Sequence, residues 1–225
     1  MALILNIETS TKNCSVSIAK SGEVLESIEL NDLNYSHAEK LHPFIDEVIK
    51  KAKYSPQDLD AIAVSKGPGS YTGLRIGVSA AKGLCFALNI PLISIDTLSS
   101  LARAIHIEDE AYIVPMLDAR RMEVYSAIFD QHYNLVRKIE AQIIDENSFA
   151  DYFNKKVYFL GDGSSKCKET LTHTNAHFIE DKHPSAIQLA TLSYEKYKKN
   201  DIEDVAYFEP FYLKDFIVTQ EKKKV

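Results

Sequence analysis

The two halves of this 225-residue chain run through the same order of apolar segments and turn signals, and that repetition limits the folds open to it. In the first half, residues 2–8, 13–20 and 24–30 read as three strands, the last two forming a hairpin across Lys20-Ser21-Gly22. A helical pattern from about Ser36 to Ala52 follows, then a strand at 60–65 and a helix at about 72–88 that ends at Asn89-Ile90-Pro91. In the second half, strands at 111–117, 122–129 and 133–140 precede a helix at about 146–154, a strand at 157–160 and a helix at about 164–171. The first strand of each half ends in an acid, Glu8 and Asp118. The strand after the first helix runs into Gly-x-Gly, as Gly67-Pro68-Gly69 and as Gly161-Asp162-Gly163. The pattern predicts two β-β-β-α-β-α lobes, residues 1–105 and 106–225, with both acids and both glycine turns at one cleft. A strand at 91–95 and helices near 97–106 and 184–199 complete and join the lobes.

The run Gly67-Pro68-Gly69-Ser70-Tyr71-Thr72-Gly73-Leu74-Arg75 places a glycine turn between a buried strand and a helix. Bare backbone N–H groups at a helix N-terminus can seat an anion, so Gly67, Gly69 and Ser70 are candidate ligand contacts together with Glu8, Ser10 and Asp118. The turn fits neither G-x-G-x-x-G nor the P-loop. A tight turn without a ligand, with each acid capping its own turn, explains the same residues. Ser36-His37-Ala38-Glu39 has the form of a capping box, and Pro43 either kinks the following helix or marks its first turn.

A net charge of −6 argues against the chain gripping nucleic acid by itself. The one basic cluster, Lys222-Lys223-Lys224, reads as a solubilising terminus. Three widely spaced cysteines, no basic leader and no apolar run of membrane length place the expectation at a soluble, cytoplasmic protein. Ser70 and Thr72 have no His or acid tied to them by sequence, and the G-x-S-x-G elbow is absent.

On the 72–88 helix, Leu74, Val78, Ala81, Cys85 and Leu88 form a stripe for the lobe's own sheet. A second stripe, Gly73, Gly77, Ala80, Leu84 and Ala87, would let another helix approach closely. The 36–52 helix of the same chain can cover it. Alternatively both helices, with His37, Leu41, Gly73, Gly77, Ala80 and Leu84, dock onto a second subunit.

Ile-Glu-Thr-Ser at 7–10, Asn-Cys-Ser-Val at 13–16, Gly-Pro-Gly-Ser-Tyr-Thr-Gly-Leu-Arg at 67–75 and Leu-Asp-Ala-Arg-Arg-x-Glu-Val-Tyr at 117–125 resemble the TsaB family, also called YeaZ. The resemblance implies a duplicated actin-like, ribonuclease-H-like (ASKHA) α/β fold. It also implies a part in making N6-threonylcarbamoyladenosine at position 37 of tRNAs that read codons beginning with A. In that system TsaD is the transferase, TsaE a small ATPase, and TsaB-like chains are non-catalytic partners that pair with themselves or with TsaD and meet tRNA only through the complex. TsaD-like enzymes hold their metal with His-x-x-x-His. Here His37 and His42 stand five apart, which turns the second ring away from the first, and His173 with His177 sits in a polar stretch. Where those enzymes carry an Asp-Glu pair after the first strand, this chain has Lys12 and Asn13. The resulting expectation is a scaffold that requires no cofactor or metal and binds ATP or ADP weakly at most. A small actin-fold ATPase or sugar kinase is the first rival, a zinc metallopeptidase the second.

Overall fold

The computed structural model describes residues 1–31 and 36–214, so the Lys222-Lys223-Lys224 tail lies outside the described residues. Five strands, β1 (Leu3–Glu8), β2 (Asn13–Lys20), β3 (Glu23–Asn31), β4 (Ala61–Gly67) and β5 (Leu92–Asp96), form one sheet in the order β3-β2-β1-β4-β5. Between them lie α1 (His37–Lys51) and α2 (Tyr71–Leu88), and α3 (Thr97–Ala102) follows β5. The second sheet holds β6 (Ala111–Asp118), β7 (Glu123–Asp130), β8 (Leu135–Ile143), β9 (Lys156–Leu160) and β10 (Ala176–Ile179), ordered β8-β7-β6-β9-β10. Helix α4 (Ala186–Lys198) is the last helix among the described residues. Each sheet pairs its first two strands antiparallel and its last two parallel, so the duplication expected from the sequence is present in the topology.

Strand period two divides the first sheet into two apolar faces. Leu3, Leu5, Ile7, Ile62 and Val64 pack under α1 and α2 with Leu41, Ile45, Val48, Val78, Ala81 and Cys85. Ala2, Ile4, Ala61, Ala63, Ile93 and Ile95 face the other way and are covered by Leu189 of α4, from the far half of the chain. The second sheet reciprocates. Ile113, Leu117, Ala127, Phe129 and Leu160 are covered by Leu98, Leu101 and Ala102 of α3, while Val114, Met116, Val124 and Phe159 pack on Phe149, Cys167 and Leu171. Polar links fix α4 in place: Ser17 Oγ donates to Ala186 O at 2.8 Å, Ala186 N to Ser15 Oγ at 3.0 Å, and Ser193 Oγ to Asn6 Oδ1 at 2.7 Å.

Several expectations change, mostly about helices. The helix expected at 146–154 is a single 3₁₀ turn, Ala150–Tyr152. Asp145 Oδ1 accepts from Asn147 N and Ser148 Oγ, which closes a turn, and Phe149 then takes a left-handed φ of 66° that no α-helix continues through. The helix expected at 164–171 is likewise only Ser165–Cys167, and the edge strand β10 follows it. Helix α3 stops at Ala102 instead of 106, where the chain leaves one lobe for the other. The capping box at Ser36 does not form: Ser36 makes no side-chain cap bond, and its carbonyl takes Glu39 N at 3.1 Å. Pro43 sits inside α1.

After α4 the chain runs back along α2. Glu203 N bonds Leu92 O at 2.8 Å, Lys82 Nζ holds Ala206 O and Phe208 O, and Phe211 N bonds Lys66 O at 2.7 Å. Lys214 of this strap pairs with Glu123 of β7. Among the described residues no helix is long and apolar enough to cross a membrane.

Two glycines of α2 make opposite demands. A Cβ at Gly77 would lie 2.2 Å from Thr9 Oγ1, whereas one at Gly83 meets nothing within 4 Å. Thermal unfolding of Gly77→Ala should show a loss of about 1–3 kcal/mol from overpacking. Gly83→Ala should gain roughly 0.5–1 kcal/mol by narrowing the unfolded ensemble. Equal effects at the two positions would contradict this packing.

Candidate functional site

The glycine turn is closed onto the chain's own backbone. Ser70 caps α2, its Oγ accepting from Gly73 N at 3.2 Å, and Ser70 N donates to Ser10 O at 2.6 Å. A Cβ at Gly69 would lie 2.4 Å from Ser10 O, and one at Gly73 only 2.1 Å from Thr9 O. Thr9 Oγ1 donates to Gly73 O at 2.8 Å, and His37 Nε2 sits 2.6 Å from Thr11 O. Residues 9–11, the turn after β1, are thus clamped between the start of α2 and the start of α1. Gly67 takes a φ of 115° and faces the strap at Phe211 O.

Glu8 is fully buried at the end of β1, accepting from Ser10 N at 2.7 Å and Ser65 Oγ at 2.8 Å. Its second carboxylate oxygen, Oε2, has no hydrogen-bond partner among the described residues. Burial raises its pKa, against the pull of the bonds from Ser10 and Ser65. Burial, with Glu8 as the lesser cause, also pushes the Cys14 thiol up to about 11. Five of the six candidate ligand residues, Glu8, Ser10, Gly67, Gly69 and Ser70, therefore lie around the turn after β1, where Glu8 bonds Ser10 and Ser10 bonds Ser70. The sixth, Asp118, stands at the end of β6 in the other lobe. It pairs with Lys166, and its N–H donates to Asp162 Oδ1 at 3.0 Å. Desolvation raises the Asp162 pKa, while His183 and, from the first lobe, Lys12 lower it. Among the described residues no hydrogen bond or ion pair joins Glu8 to Asp118. His173 stacks on Phe153 and His177 on Tyr158.

The outward surface is a groove of about 700 Å³ between α1 and α2. Ala38 and His42 line one wall, and Thr72, Ile76, Ser79, Ala80, Gly83 and Leu84 the other. Of the six residues expected at a docking face, only Ala80 and Leu84 reach the groove. His37, Leu41, Gly73 and Gly77 are buried and point inward, because the clamp on Thr9 and Thr11 rotates α2 and seats α1. The outward residues sit one position around each helix: Ala38 and His42 on α1, and Thr72, Ser79 and Gly83 on α2. Phe86 of the same helix is 85% exposed. Thr9, Ser65, Asp162 and Lys166 carry site interactions that the sequence motifs did not single out; the position of Thr9 between Glu8 and Ser10 was the available signal.

The family model for TsaD, described as tRNA N6-adenosine threonylcarbamoyltransferase, matches residues 31–221. A Bacillus subtilis relative, tRNA threonylcarbamoyladenosine biosynthesis protein TsaB, is 31% identical over 94% of this chain and 93% of its own length. The chain belongs to the TsaB family. Haemophilus influenzae TsaB is 27% identical over 94% of this chain and 93% of its own. The structure of YeaZ from Pseudomonas aeruginosa, 26% identical, covers 95% of this chain and 100% of that one with a TM-score of 0.77. Similarity to a Staphylococcus aureus tRNA N6-adenosine threonylcarbamoyltransferase reaches 38% identity, but over 48% of this chain and 36% of that enzyme. This TsaB-family chain thus shares about half its length with that catalytic relative and nearly all of it with the TsaB proteins.

Glu8 gives a pH test. A carboxyl whose folded pKa lies above its unfolded value, near 4.5, contributes most stability below that value and loses it as pH rises through the folded pKa. Glu8→Gln keeps an acceptor for Ser10 and Ser65 without the buried charge. Melting temperatures at pH 5 and pH 8 should show the variant gaining on wild type as pH rises. A constant gap would mean that folding leaves the ionisation of Glu8 unchanged.

Proposed function

We propose that this protein serves tRNA threonylcarbamoyladenosine biosynthesis as a non-catalytic partner, holding a TsaD-type transferase through the α1/α2 groove. The observation that carries this reading is the contrast between its two surfaces. The glycine turn and Glu8 are spent on the protein's own backbone and side chains, while the α1/α2 groove turns small and apolar side chains outward. The names of the relatives from Bacillus subtilis and Haemophilus influenzae support the pathway. Small side chains at Ser79, Ala80 and Gly83 suit close helix approach, so in isolation the same groove pairs two copies of the chain, and the transferase displaces one. A TsaE-type ATPase joins the working complex, which acts in the cytoplasm. The interlobe cleft takes ATP or ADP weakly at most, without turnover.

Gly83 is the position at which to test the groove, since a side chain there has open space in the single chain. Gly83→Glu should fold normally yet lose both self-association and association with the transferase by light scattering, because a docked helix would bury the unpaired charge. In a reconstitution with TsaD, TsaE, ATP and threonylcarbamoyl-adenylate, modified adenosine measured by mass spectrometry should fall at least tenfold with this variant. Equal modification without the chain would sink the partner reading, and metal-dependent ATP turnover by the chain alone would favour a kinase-like enzyme.

A further inference from the structure

The turn joining β6 to β7 places Arg120 and Arg121 side by side with φ values of 71° and 50°, a conformation that costs a non-glycine residue energy and that two consecutive arginines rarely share. Both are exposed, and among the described residues neither guanidinium makes a hydrogen bond or ion pair. The turn is held without either arginine side chain: Arg120 N donates to Asp118 Oδ1 at 3.0 Å, Glu123 N to Arg120 O, and Ala119 N to Glu123 O. Asparagine or glycine would occupy these positions at lower cost and keep every one of those bonds. The fold therefore gains nothing from arginine here.

The surroundings give the pair its electrostatic character. Lys166 is matched by Asp118, and Lys214 by Glu123. Lys214 and Arg120 both lie close enough to the Tyr125 phenol to favour its ionised form, although burial, the larger cause, raises its pKa. The neighbouring lysines are thus matched by acids, whereas among the described residues the two guanidinium groups are not, in a chain whose net charge is −6. A guanidinium presents a planar fork of donors that matches phosphate oxygens, and two in succession on a protruding turn fit successive phosphates of a polynucleotide better than one compact anion.

We infer that the Arg120–Arg121 turn contacts the phosphate backbone of the RNA substrate within the assembled complex. This rests on the partner reading above and adds a direct RNA contact to it. The test is fluorescence anisotropy of a labelled tRNA anticodon stem-loop titrated with this chain bound to its TsaD-type partner. Replacing both residues, Arg120→Gly with Arg121→Gly, should weaken binding about tenfold near 0.1 M salt and make the slope of log K against log salt shallower by about 1.5. The melting temperature should hold or rise, since glycine relieves the turn. Arg120→Lys with Arg121→Lys should retain most of the affinity. Unchanged affinity and slope in an intact complex overturn the inference, as does a lowered melting temperature of the glycine variant with binding preserved. Displacement of the RNA by micromolar ATP would assign the pair to a nucleotide site instead, and equal competition by poly-glutamate would assign it to an acidic protein surface; either result overturns the RNA contact. If light scattering shows no complex, the partner reading fails, and the RNA contact placed within that complex is overturned with it.

Discussion

Each of the two sheets has a second apolar face, and in both cases the helix that buries it comes from the other half of the chain. Helix α4 brings Leu189 onto Ile4, Ala61, Ala63, Ile93 and Ile95, and α3 brings Leu98, Leu101 and Ala102 onto Ile113, Leu117 and Leu160. Leaving either face in water would forfeit the main favourable term in folding. Neither sheet is therefore covered on both faces by its own half of the sequence. Serine and asparagine side chains of β1, β2 and α4 bond across this crossing, as Ser15 with Ala186 and Asn6 with Ser193.

Within the first lobe, the clamp on residues 9–11 sets what the surface shows. Thr9 fits against Gly73 and Gly77 at distances only glycine allows, and Thr11 O meets His37. Seating α2 this way turns Thr72, Ser79 and Gly83 outward beside Ala38 and His42 of α1. The small residues of α2 thus serve two contacts. One is internal, to the turn after β1; the other faces solvent. A residue at the end of a buried strand, Glu8, is held in the same cluster with no partner for Oε2 among the described residues, and its burial raises its pKa.

Much of the architecture was legible in the sequence because the first half obeys simple periods. Apolar segments bounded by polar turns placed β1 and β2, the spacing of Leu74, Val78, Ala81 and Cys85 gave α2 its core stripe, and Asn89 marked the end of α2 with a left-handed cap. The 146–154 segment misled because Phe149, Tyr152 and Phe153 have helical spacing yet are anchors for one 3₁₀ turn, with Phe149 and Phe153 packed on Phe159. β10 is a four-residue edge strand in a polar stretch, too short for a periodic signal. At the candidate site, residue types were readable and directions were not. A stripe of small residues looks alike whether it faces a neighbour or its own chain, and only the Thr9 contacts tell which. Glu8 showed a similar limit, since nothing in Ile-Glu-Thr-Ser says that the carboxylate is turned into the core.

The crossing of α4 also has a meaning in time. During synthesis, β5 leaves the ribosome about ninety residues before α4, an interval on the order of ten seconds at ordinary elongation rates. For that interval the first sheet can be hydrogen-bonded and roofed by α1 and α2, while Ile4, Ala61, Ala63, Ile93 and Ile95 remain wet. Closure waits for the last helix among the described residues, and the strap that ties α2 to β7 arrives later still. The nascent protein is therefore most exposed to aggregation, and most in need of chaperones, late in translation, although the opening third of its sequence already specifies four strands of that sheet.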